Sequence, residues 1–89
     1  MAFRDEFPSL SAELSRHGAN AALQPVEPLM ALDAATGELV ALAPATEADE
    51  SVTAVFAWRR NRWRSEGRIV AGLTPAQTLH HHRDRLIAA

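Results

Sequence analysis

The 89-residue sequence contains no cysteine, which excludes a disulfide framework, a thiolate nucleophile and a zinc–thiolate site. It contains no lysine either. All nine basic residues are arginine, alongside abundant alanine, a bias of GC-rich coding sequence that weakens any inference from arginine content alone. Nowhere are there about 18 successive apolar residues, and the start MAFRDEFPSL has no basic flank leading into an apolar segment. A soluble, cytoplasmic protein with no membrane attachment is the expectation. Glycine-rich phosphate loops are lacking, and Ser9, Ser11, Ser15, Ser51 and Ser65 have no nucleophile elbow around them, so the motifs point away from an enzyme and from any cofactor.

What is present is a hydrophobic content of 47% with 22% charged residues, ordinary for one small folded domain and too apolar for wholesale disorder. The charge is unevenly placed. Residues 1–57 carry Arg4 and Arg16 against nine carboxylates, a balance of −7, whereas residues 58–89 carry seven arginines against Glu66 and Asp84, a balance of +5. Such a dipolar chain suggests an acidic or nucleic-acid partner for its basic part, or one half folding against the other.

The strongest periodic signal runs from Thr46 to Gly67. At 100° per residue Ala48, Val52, Val55, Phe56 and Trp63 fall within an arc of roughly 100°, the stripe of an amphipathic helix. Thr46 suits an N-cap, Glu47, Asp49 and Glu50 suit the positive end, Arg59, Arg60, Arg62 and Arg64 suit the carbonyl end, and Gly67 suits the residue after it. Arg59 falls inside the apolar arc. Either its stem packs while its head reaches the rim or stacks on Trp63, or the helix end leaves the core and presents arginine and tryptophan, the residue types that dominate binding hot spots.

Elsewhere the pattern predicts a helix over Pro8–His17, a proline-containing connector to Pro28, and a β-hairpin over Leu29–Ala43 turning at Asp33 and Gly37. Both hairpin strands are apolar on both faces, so the pair needs cover on each side or a partner on one. Arg68–Leu73 is a candidate short third strand. Thr74, Pro75 and Gln77 form a helix start, with the last helix running from Pro75 to about Ile87. The expected fold class is therefore α+β, residues 1–89 making a single small domain: N-terminal helix and connector over 1–28, then hairpin, long central helix, candidate strand and C-terminal helix over 29–89.

His80, His81 and His82 invite a metal reading, but successive helical residues diverge by about 100° and cannot face one ion as an i, i+4 pair does. Flanking, partly exposed histidines with no metal are the plainer expectation. Glu47, Asp49 and Glu50 likewise read as helix caps ahead of a general acid and base. Trp58, Arg59, Arg60, Arg62, Trp63, Arg64 and Arg68 form the candidate binding segment. An acidic surface on another protein, or a second copy of the chain, is the partner it suits. Nucleic acid is the alternative, since arginines interleaved with aromatics can track phosphates and stack on bases.

From Leu39 onward, LVALAPATEADESVTAVFAWRRNRWRS followed by LTPAQTLHHHRDRL resembles the opening strand and first two helices of GCN5-related N-acetyltransferases. The counterparts would be Val40–Thr46, Ala48–Arg60 and Thr74–Leu86. The resemblance implies a truncated or relic fragment without activity, because the acyl-coenzyme A half of that family has no counterpart in these 89 residues, and no catalytic residue carries over. Taken together, the sequence suggests a non-catalytic protein-interaction module, of the kind found as an accessory subunit, an inhibitor or a phage-type small protein.

Overall fold

In a computed structural model, residues 3–16 and 20–89 are described. The chain forms helix α1 (Phe3–Arg16), strands β1 (Ala21–Leu23), β2 (Leu29–Asp33), β3 (Leu39–Glu47), β4 (Glu50–Arg59) and β5 (Arg62–Ala71), helix α2 (Pro75–His81) and strand β6 (Leu86–Ala88). The strands make one antiparallel sheet in the order β5-β4-β3-β2-β6, with β1 pairing the far end of β3.

This corrects the expected long central helix. Thr46–Gly67 is instead the end of β3, all of β4 and much of β5. The hinge points are two two-residue turns. Ala48 and Asp49 have φ of 51° and 64°, and Arg60 and Asn61 have φ of 53° and 63°. Positive φ at both central residues is the type I′ geometry whose twist matches antiparallel strands. Thr46, expected as an N-cap, pairs with Ser51 across the first turn, and the acidic group Glu47, Asp49 and Glu50 decorates that turn. Gly67 is left-handed at φ 67°, within a β5 bulge.

Two cores explain why β3 and β4 are apolar on both faces. On one face Leu10 and Leu14 of α1 pack with Ala41, Ala43, Ala45, Val52, Ala54, Phe56 and Trp63. On the other, Val40, Leu42 and Val55 are covered by Leu79 of α2 and by Leu29, Val70 and Leu86. Six consecutive residues, Val52–Ala57, are buried, so both alternating sets are inside. Burying side chains the size of Phe56, Leu10 and Leu14 contributes about 1.5–3 kcal/mol each.

The hairpin expected over Leu29–Ala43 is present as β2 and β3. Asp33 turns it: its Oδ1 accepts the Ala35 N–H at 2.9 Å and its carbonyl accepts the Gly37 N–H at 2.7 Å, with Gly37 at φ 75°. The Thr74–Gln77 capping box also forms, Thr74 Oγ1 accepting the Gln77 N–H at 3.2 Å and Gln77 Oε1 accepting the Thr74 N–H at 2.9 Å. The helix it opens is shorter than expected. It ends at His81, and Leu86–Ala88 pairs with β2 as an edge strand. The N-terminal helix starts earlier than expected, with Pro8 inside it, and His17 lies outside the described residues. The segment for which the resemblance to acetyltransferases required a helix, Ala48–Arg60, is turn and strand.

Candidate functional site

The β4–β5 hairpin scatters the seven binding candidates instead of lining them along a helix end. Trp58 and Trp63 pair across it, ring centroids 5.2 Å apart at 67°, an edge-on contact. Trp63 is 5% exposed and belongs to the α1 core, its Nε1 finding no acceptor among the described residues, while Trp58 is half-buried. Arg60 and Arg62 are exposed at the tip. Arg64 is half-buried opposite Ala57, on the face that α2 covers, and Arg68 is exposed on the bulge several residues away.

Arg59 is engaged internally. Its Nε donates to Glu38 Oε2 at 2.6 Å, and its Nη2 donates to Glu38 Oε1 and Glu66 Oε1, each at 2.9 Å. The hydrogen bond from Arg59 holds the Glu38 carboxyl below the usual carboxylate range, and Glu38 together with Glu66 raises the Arg59 guanidinium further above its already high value. This three-residue network ties the turn entering β3 to β4 and β5, a structural task for Arg59. Among the described residues Arg60, Arg62, Arg64 and Arg68 have no ion-pair partner.

A second clip joins the C-terminal strand to the body. Arg85 donates to Asp33 through Nε at 3.1 and 3.2 Å and through Nη2 at 3.0 Å. The Asp33 side chain is only 5% exposed, and the Arg85 hydrogen bonds lower its pKa against the opposing effect of burial.

The register places one further feature on the face that α1 covers. Trp63 faces Trp58, Leu32 faces Leu39, and Ile87 faces Leu32, while Leu39 follows next after the Val40–Ala57 pair and so lies level with Trp58. The result is one apolar row crossing all five strands. Its exposure grows along the sheet, from 5% at Trp63 to 41% at Leu32 and 54% at Ile87. α1 packs on β5 and β1, at the other end of this face. Leu32, Leu39 and Ile87 are not among the binding candidates that the sequence suggests, although the apolar-on-both-faces pattern of β2 and β3 signals a need for cover.

His80, His81 and His82 are exposed, and no group of three metal-ligating side chains converges among the described residues. No helix among them is long and apolar enough to cross a membrane. Comparison of the chain with protein-family models, curated proteins and solved structures found no match.

Proposed function

We propose that this chain is a non-catalytic protein-binding module whose docking surface is the apolar row Trp58, Leu39, Leu32 and Ile87, rimmed at the hairpin tip by Arg60 and Arg62. The observation that carries the reading is the exposure of Leu32 and Ile87 in register with a half-buried tryptophan. Exposed apolar groups that adjoin one another, bordered by charge, mark interaction surfaces where singly scattered ones do not. Aromatic and arginine side chains are enriched at such surfaces. The partner that fits is a protein with an apolar centre and carboxylates beside it, met in the cytoplasm. An accessory subunit, an inhibitor and a phage-type small protein all use such a surface, and a second copy of this chain is the self-associating version of it. Nucleic acid fits less well, because Trp63 is buried and unavailable for stacking on bases.

The test compares the wild-type chain as bait with Leu32→Asp/Ile87→Asp and with Arg60→Glu/Arg62→Glu, alongside light scattering for self-association. Both variants alter exposed side chains and should fold. A partner or dimer retained by wild type and lost from the aspartate pair supports the reading; retention by all three baits refutes it. The glutamate pair should slow capture and flatten its salt dependence.

A further inference from the structure

The opposite face of the sheet holds a cleft of about 650 Å³, bounded on one side by β5 and on the other by α2 and the turn into β6. A bulge accounts for it. Phe56 pairs with Ser65 and Ala54 with Ile69, so Glu66, Gly67 and Arg68 together face the single residue Val55. The surplus makes β5 bow away from β4. The left-handed Gly67 and its N–H bond to Ser65 Oγ, 3.1 Å, fix the shape of that bow. Leu42 and Val55 form the floor, and Val70 and Leu86 line the sides.

The ionisable side chains of the lining are all basic, and the remaining polar one, Thr78, donates its hydroxyl to the Thr74 carbonyl at 2.9 Å. Arg68, His82 and Arg85 line the cleft and no carboxylate does, since Glu66 of the same bulge is turned to Arg59 and Asp33 lies behind Arg85. Among the described residues Arg68 is unpaired, and Arg85 commits only Nε and Nη2 to Asp33, leaving Nη1 without a partner. Asp33 also holds Arg85 in place, so less side-chain freedom is lost when a ligand arrives.

We propose that this cleft binds an organic anion, a carboxylate carried on an aliphatic or aryl body. The carboxylate meets Arg68 and Arg85 while the body lies over Val55 and Val70. The volume is within the range of about 300–1,000 Å³ usual for small-molecule sites, and an apolar floor with a few convergent polar groups is their usual chemistry. This site and the apolar row lie on opposite faces, so neither proposal depends on the other.

The experiment is a titration of the ¹⁵N-labelled full chain with decanoate and, separately, with decanol, following backbone amide shifts. Decanoate should move Val55, Val70 and Leu86 saturably, and decanol should bind about tenfold more weakly or worse. Arg68→Gln, at an exposed position with no structural partner, should weaken decanoate about five- to tenfold and leave decanol unchanged. Leu32→Asp should leave decanoate binding intact. Equal affinity for the alcohol, indifference to Arg68→Gln, or shifts centred on Trp58, Leu32 and Ile87 would each overturn the proposal.

Discussion

Ala48→Gly gives opposite results for the two ways the middle of this chain can fold. In the observed turn Ala48 has φ 51°, a left-handed conformation that costs an ordinary L-residue about 1–2 kcal/mol. Glycine removes that strain but adds unfolded-state entropy worth about 0.5–1 kcal/mol. The net expectation is a gain of about 0.5–1 kcal/mol, which for a domain of this size raises Tm by about 3–6 °C. A helix starting at Thr46 would respond the other way. Glycine near its start would lose about 1 kcal/mol relative to alanine and lower Tm by a similar interval. Thermal unfolding followed by circular dichroism, with urea unfolding to check that the m-value is unchanged, distinguishes the two. A fall in Tm at constant m would refute the hairpin geometry on which every later step rests.

Phe56, between β3 and β5 beneath α1, is the largest side chain of the core to be wholly shut off from solvent; Phe56→Ala should cost about 3–5 kcal/mol in urea unfolding, enough to leave a small domain largely unfolded. Asp33→Asn keeps an acceptor for the Ala35 N–H and loses the charge that holds Arg85. Because the folded pKa of Asp33 is depressed below its ordinary value of 3.8, its stabilisation is present above that pH and is lost as pH falls through the lowered value. The Tm gap between wild type and Asp33→Asn should therefore be constant above about pH 5 and close on further acidification; a gap that widens in acid would contradict the assignment.

The features legible from sequence are those fixed by local chemistry. Asp33 and Gly37 dictate a turn, and Thr74 with Gln77 dictates a helix start, whatever surrounds them. The stretch from Val52 to Trp63 has the spacing of a helix for a physical reason. In a sheet covered on both faces the six central positions of β4, Val52–Ala57, are all buried, so alternation vanishes there, and Val52, Val55, Phe56 and Trp63 fall by spacing onto a helical stripe. The remaining cues were the β-branched and aromatic content, Val52, Thr53, Val55, Phe56 and Trp58, and the tolerance of Asp49 and Asn61 for positive φ. Ala48 and Arg60 concealed the turns because neither is a residue that usually occupies such positions. Arg59, out of place on a helical wheel, is explained by Glu38 and Glu66, neither of which a helix would have brought to it. The apolar row is invisible in the sequence because its members come from five strands whose register only the fold supplies, and the cleft because it depends on a bulge.

The most direct test of the docking surface is site-specific photo-crosslinking in the native cell, with benzoylphenylalanine placed at Ile87 or, as a control, at the exposed Ala76 on the opposite face. A discrete protein adduct is expected from position 87, weakened by Leu32→Asp, and none from position 76. Adducts of equal yield from both positions, or none from position 87 while the protein is folded, would contradict it.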